Sequence, residues 1–261
     1  MLADVVLTVS ESKRLIAKGV ASMPCVREAL RSGLVVISTG STNAYVVEEI
    51  LGKKINKPSY VTGKVVPWGM DPSKPLSSER MPDVILKDGQ VIEGMDRFQA
   101  VREMGPGDVF IKGANALNYE RRVAGVSIIG AQGGTIGGVL GALLWRKATL
   151  VIPVGLEKLV AHDIIESSRL IGGGEREIAS MFPSLFPVTG EIVTEIEALE
   201  ILTGVKAFHI GSGGIMGAEG AVRLLLKGDR GRVEEALKLV ESIYGEPPFV
   251  PIPEREKAQG G

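Results

Sequence analysis

The chain has 261 residues, 44% hydrophobic and 23% charged, the balance of a globular protein with a sizeable core rather than a disordered or fibrous one. A formal net charge of −1 gives no positive field to attract nucleic acid or anionic lipid, so no nucleic-acid and no membrane partner is expected. The single Cys25 excludes an internal disulfide and a multi-cysteine metal site. With a start, Met1-Leu2-Ala3-Asp4, that lacks the basic and apolar regions of a signal peptide, the expected compartment is the cytoplasm.

The first expected element is a helix opened by the cap residues Ser10-Glu11-Ser12-Lys13, with Leu15, Ile16, Val20 and Met23 as its apolar stripe. A second helix spans Pro24 to Arg31 and stops at Gly33. Leu34-Val35-Val36-Ile37 reads as a buried parallel strand, Ser38 to Asn43 as a turn and Ala44 to Leu51 as a helix. Lys53 to Asp83, rich in proline, serine and lysine, reads as an excursion within a small lobe over about 53–104. Asp83 to Glu93 is an expected hairpin and Asp96 to Met104 a short helix.

Alternation then resumes. Asp108 to Ile111, Val126 to Ile129 and Thr149 to Ile152 read as strands, and Thr135 to Arg146 as a helix. The stretch Val123 to Trp145 is uncharged and about as long as a bilayer crossing, but its glycines, Gln132 and Thr135 suit a buried turn and helix. Further helices are expected over Ala161 to Arg169, Glu195 to Leu202, Ala218 to Leu226 and Arg232 to Tyr244. A strand is expected over Val205 to Ile210, and an irregular stretch over Gly172 to Glu191. Together these describe one α/β domain over 1–250, with a Rossmann-like, mostly parallel sheet, helices on both faces and a frayed tail over 251–261. A homo-oligomer is expected, a two-fold dimer being the commonest form. Scarce glutamine, asparagine and cysteine, beside plentiful valine, isoleucine and charged residues, is compatible with a thermostable protein.

The motif richest in chemistry is Ser38-Thr39-Gly40-Ser41-Thr42, followed by Asn43, between a strand and a helix. Gly40 allows close backbone approach, the hydroxyls are donors, and the free amides of a first helical turn face an anion. An ordinary capped helix start explains the same residues equally well. Gly133-Gly134-Thr135 repeats the design, or provides close helix packing, and Gly211-Ser212-Gly213-Gly214 repeats it a third time. Glu219 fits a dipole-compatible acid in the helix that follows. Three such turns at the carboxyl ends of parallel strands would form one pocket for a phosphorylated small molecule. His162 and His209 read as solvated or structural. Asp83, Asp88, Glu93 and Asp96 form a loose acidic group, either exposed hairpin residues or a site for a hard cation in a metal-dependent hydrolase.

Four segments in order resemble the superfamily of ribose-5-phosphate isomerases, glucosamine-6-phosphate deaminases and CoA-transferases. Val35 to Thr42 is similar to the isomerase strand and its Gly-Thr-Gly-Ser-Thr loop, and Asp108 to Asn115 to the Asp-x-x-Ile-Asp-Gly-Ala-Asp segment. Gly130 to Leu144 resembles the glycine-rich start of the next helix, and Thr149 to Val160 the strand and Ser-Lys loop. The resemblance covers about residues 33–160. It implies phosphate contacts at Thr39 to Asn43, Gly113, Asn115 and Lys158, with Lys112 adding charge. Lys112 and Asn115 stand where the isomerases carry aspartates, and Asn115 cannot act as a general base, so authentic pentose-phosphate isomerisation is not implied. Glu157, in a loop after a buried strand, is the remaining candidate acid or base. No cofactor is indicated. The expected function is an enzyme for a phosphorylated sugar or nucleotide-like metabolite. The alternative is a non-catalytic, metabolite-binding or regulatory subunit on the same scaffold.

Overall fold

Leu34–Ile37 and Val109–Ile111 are buried at every residue, and Thr149–Pro153 at all but its first. A strand can be apolar on both faces only where both faces are covered, and these three lie side by side in parallel. The computed structural model describes residues 1–67, 69–128, 132–173 and 184–250. In chain order the first half comprises β1 (Leu2–Leu7), α1 (Val9–Ser22), α2 (Pro24–Ser32), β2 (Leu34–Ile37), α3 (Ser41–Leu51), β3 (Val84–Lys87), β4 (Gln90–Val91), α4 (Arg97–Glu103), β5 (Val109–Ile111) and β6 (Ala116–Asn118). The second half comprises β7 (Val123–Ile128), α5 (Gly134–Arg146), β8 (Thr149–Pro153), α6 (Ile164–Gly173), β9 (Ser184–Val188), β10 (Glu191–Val193), α7 (Glu195–Thr203), β11 (Lys206–Ser212), β12 (Val222–Lys227) and α8 (Arg230–Glu241).

The central sheet has six strands in the order β10-β8-β5-β2-β3-β4. Its first four are mutually parallel, and the β3–β4 hairpin adds antiparallel strands beside β2. Ile37 pairs with Ile111, Ile111 with Val151, and Pro153 with Val193. The segments after β2, β5, β8 and β10 therefore emerge at one edge. Because β3 runs the other way, Val84 pairs with Ile37 and the preceding Asp83 reaches that same edge.

Helix α1 packs between α3 and α7 and touches β8 and β10. Its start is fixed by a capping box, in which Thr8 N–H donates to Glu11 Oε2 at 2.8 Å and Glu11 N–H to Thr8 Oγ1 at 3.4 Å, a device worth about 1 kcal/mol. The cap thus lies ahead of the expected Ser10-Glu11-Ser12-Lys13, which fall inside the helix and are buried. Gly19 is the contact with α7: a Cβ there would stand 2.7 Å from Ala198 Cβ. Equivalent boxes start α4 at Asp96 and α7 at Thr194.

Three expectations change. The stretch expected to be irregular over Gly172 to Glu191 contains β9, Ser184–Val188, which pairs antiparallel with β7. Ala218 to Leu226 is no helix: Val222, Leu224 and Leu226 are buried while Arg223 and Lys227 are exposed, the period of a strand, and β12 lies between β1 and β11 in a separate antiparallel sheet. The short β1 at the N-terminus completes that sheet. Val126 to Ile128 belongs to β7, which pairs antiparallel with β6 and β9 rather than joining the parallel strands. Ile129 and Gly130, the end of Gly172-Gly173-Gly174 and the tail 251–261 lie outside the described residues. Among those described, no helix is long and apolar enough to cross a membrane.

Candidate functional site

Each parallel strand ends on a residue that can do chemistry. After β2 come Ser38 and Thr39, and after β5 Lys112. After β8 a short 3-10 turn, Leu156–Lys158, carries Glu157 and Lys158, and after β10 the first residue of α7 is Glu195. Binding at the carboxyl ends of parallel strands is the general rule for such sheets.

The cations are set by the backbone. Lys112 Nζ donates to Gly113 O at 3.1 Å and Lys158 Nζ to Ala114 O at 2.9 Å, so adjacent carbonyls of one turn hold the two ammonium groups. From the other side Arg97 pairs with Asp83 and also donates to Thr135 Oγ1. Asp83 Oδ1 accepts from Thr39 N–H at 2.8 Å. Burial, then Lys158 and Arg97, pull the Lys112 ammonium down to about 8 against the opposing influence of Asp83. Lys13 reaches in from α1, where it is 9% exposed. Burial and Lys158 lower it to about 8, with Glu157 opposing. Burial raises Asp83 despite Arg97 and the Thr39 amide.

A pair of carboxyls lies beside these cations. Glu195 is fully buried and Oε2 accepts from Leu156 N–H at 3.0 Å. Its pKa rises to about 7, first through burial and then through the neighbouring Glu157 charge. Glu195 Oε1, Glu157 Oε2 and Ser12 Oγ are buried with no hydrogen-bond partner among the described residues. Glu157 folds back onto Gly155, where a Cβ would stand 1.8 Å from its Oε2, so glycine is what lets the carboxyl lie there. A buried carboxyl that keeps its proton up to about pH 7, as Glu195 does, suits general acid–base work. A groove of about 860 Å³ between Tyr119, Leu159, Ile196 and Phe208 is lined by none of these charged residues.

The anticipated phosphate loop is placed at this edge, but it is partly committed to the protein itself. Thr39 N–H goes to Asp83, and Gly40 N–H donates to Tyr60 O at 2.8 Å. Asn43 Nδ2 donates to Ser38 O at 2.7 Å and Ile111 O at 3.2 Å, stapling β2 to β5. Asn43 Oδ1, buried without a partner among the described residues, faces Gly113. Ser41 and Thr42 open α3, whose cap, Gly40, supplies no side chain. Asn115 turns away, its Oδ1 accepting from Ser127 N–H at 2.9 Å.

Of the second turn, Thr135 touches Arg97, whereas Gly133 and Gly134 adopt left-handed conformations at the start of α5. The glycines there also serve packing, because a Cβ on Gly138 would stand 2.5 Å from the Phe98 ring of α4. Gly211 and Ser212 end β11, and Gly213 and Gly214 belong to the hairpin loop leading to β12. This third turn is therefore not a strand end of the central sheet, which corrects the expected convergence of three turns. Glu219 in that loop accepts from Gly217 N–H at 2.9 Å. His209 Nε2 lies 2.9 Å from Ser212 Oγ, and His162 is an exposed partner of Glu166. The acidic group does not gather: Asp83 pairs with Arg97, Asp96 caps α4 and Asp88 sits in the hairpin turn. Among the described residues no group of three or more His, Cys, Asp or Glu could hold a metal.

Lys13, Arg97 and Glu195 were not singled out as a site from sequence, and Asp83 was named only within the acidic group. One signal was available for Lys13: Ser10 to Arg14 are five consecutive polar residues, all buried. No family model matches the chain, nor does any curated protein or solved structure.

Proposed function

We propose that this chain is a small-molecule enzyme whose substrate carries a phosphate, a phosphorylated sugar or nucleotide-like metabolite, bound at the carboxyl edge of a Rossmann-like run of parallel strands. One observation carries the reading. Lys13 and Lys112 both feel Lys158, and Lys112 also feels Arg97, yet among the described residues none of the three lysines is in a salt bridge. Like charges gathered in a partly buried place raise the energy of the empty protein. A bound dianion reverses the sign of that interaction, with charge-assisted hydrogen bonds from Lys158 and Arg97. Glu157 and Glu195 supply a carboxyl pair able to give or take a proton next to the anion. The order of the four isomerase-like segments agrees with this placement.

Calorimetric titration with inorganic phosphate, pyrophosphate and a panel of sugar phosphates and nucleotides tests the proposal. Saturable binding that raises the melting temperature, weakens with salt and drops at least tenfold in Lys158→Gln is the expected result. Absence of saturable binding to every member of the panel at low ionic strength would overturn it.

A further inference from the structure

Lys112 differs from an ordinary anion-binding lysine. It follows directly on β5, a fully buried strand in the middle of the parallel set, so its backbone is held by the sheet and its own N–H donates to Val151 O at 3.0 Å. Its Nζ has a carbonyl partner, Gly113 O, and no ion pair among the described residues. The flanking cations cannot retreat. Lys158 is anchored on the next carbonyl of the same turn, and Arg97 is held by Asp83 and Thr135. The side chain is only partly buried, so a ligand can reach it. Lys13, by contrast, is almost enclosed, with its Nζ 5.5 Å from the centre of the Phe249 ring.

We infer that Lys112 is an amine nucleophile, forming an imine with the carbonyl carbon of a phosphorylated aldehyde or ketone whose phosphate lies on Lys158 and Arg97. This rests on the anion-site reading above and adds to it a reactive group and a substrate class. Among fixed cations the Lys112 ammonium is weakened to about 8, so roughly a tenth of it carries a free lone pair at pH 7, far more than in an ordinary lysine. In the step itself the nitrogen lone pair attacks the carbonyl carbon, the carbon–oxygen π bond breaks, and the oxygen takes a proton to give a carbinolamine. The two hydrogens of the amine and the carbonyl oxygen then leave as one water, forming the carbon–nitrogen double bond. Asp83, the carboxylate facing Lys112, relays the proton from nitrogen to the departing hydroxyl. Once the imine nitrogen takes up a proton, the resulting iminium is a better electron sink than the parent carbonyl, which suits proton abstraction or carbon–carbon cleavage at the adjacent carbon.

Pyridoxal 5′-phosphate, a phosphorylated aldehyde, is the probe. The protein is incubated with it at neutral pH, the imine is reduced with borohydride, and the adduct is located by peptide mass spectrometry. Lys112 is expected to label about 300-fold faster than an exposed lysine such as Lys87, the ratio of neutral amine implied by its lowering from 10.5 to about 8. Inorganic phosphate should slow the labelling, and Lys112→Arg should lose this adduct while keeping its circular dichroism. Adducts spread over the lysines according to exposure would overturn the inference, and the wild-type peptide map alone decides that point. Phosphate binding without an adduct at Lys112 overturns the imine and leaves the anion site standing. Equal labelling of Lys112 by pyridoxal and its phosphate, unaffected by inorganic phosphate, keeps the reactive amine and removes the anion site.

Discussion

Glu195→Gln should make this protein more stable, and only above a defined pH. The carboxyl is fully buried, with one oxygen on the Leu156 amide and the other without a partner among the described residues. Below about pH 4.5 it is protonated in both the folded and the unfolded chain, so its acidity costs nothing. Between the ordinary glutamate value of 4.5 and its raised value of about 7 the unfolded chain releases the proton while the folded protein retains it. Unfolding then releases a proton, and stability falls as the pH rises. Above about 7 both forms are ionised and the loss is complete. At ~1.4 kcal/mol per pH unit, that interval corresponds to about 3 kcal/mol, a substantial part of the ~5–15 kcal/mol typical of a whole domain. A glutamine accepts the same Leu156 hydrogen bond and does not ionise. Urea unfolding followed by circular dichroism from pH 4.5 to 8.5 should give wild-type and variant curves that diverge by about 3 kcal/mol toward pH 8. Curves that stay parallel would refute the reasoning, because Glu195 would then titrate alike in both states.

Gly155→Ala should displace Glu157 with little loss of stability, under about 1 kcal/mol, because the clash 1.8 Å from Oε2 is with the free end of a side chain. With Glu157 withdrawn, the Glu195 value falls back part of the way, and the pH dependence of unfolding becomes shallower than in wild type. Arg14→Leu should cost about 2–3 kcal/mol at neutral pH, since the buried Glu48 loses its closest cation and Glu48, Glu49 and Glu246 keep only Lys18, Lys54 and Lys57 as partners. Burial opposes ionisation of Glu48 and Glu246, and Arg14 outweighs it, holding both below the usual carboxylate range. The stability they contribute is present above the unfolded carboxylate range and is lost as pH falls. The deficit of Arg14→Leu measured in urea should therefore shrink toward pH 4, and a deficit independent of pH would contradict the network.

Three of the parallel strands, β2, β5 and β8, were legible because each is a short, mainly apolar run bounded by glycine or a polar turn, and such runs belong where both faces are covered, whereas β10, three residues long and opening on Glu191, was not. The residues directly after them, Lys112, Glu157 and Lys158, could be read for the same reason. What could not be read depends on distant pairing. Asp83 reaches the site only because β3 runs antiparallel to β2, and nothing local in Pro82-Asp83-Val84 states that direction. Glu195 follows Thr194 in the pattern Thr-Glu-Ile-Glu, where Glu197 closes the capping box, so both acids look like helix-start residues. Only the pairing of β10 with β8 brings Glu195 against Leu156 and Glu157. In Ala218 to Leu226, a run of leucines fits a helical stripe and a strand alike, and its place between β1 and β11 decides for the strand.

The neighbours Lys13 and Arg14 tie the site to the far end of the chain. Arg14 Nε donates to Glu246 Oε2 at 2.9 Å, and Lys13 lies over the Phe249 ring. Helix α1 is made before these partners, which lie some 230 residues later in the chain. A growing chain can pair β2 with β5 and β8 as it emerges, but Arg14 then waits without Glu246 and Lys13 without its aromatic cover. This edge of the sheet is thus completed only after the strands that support it have been made.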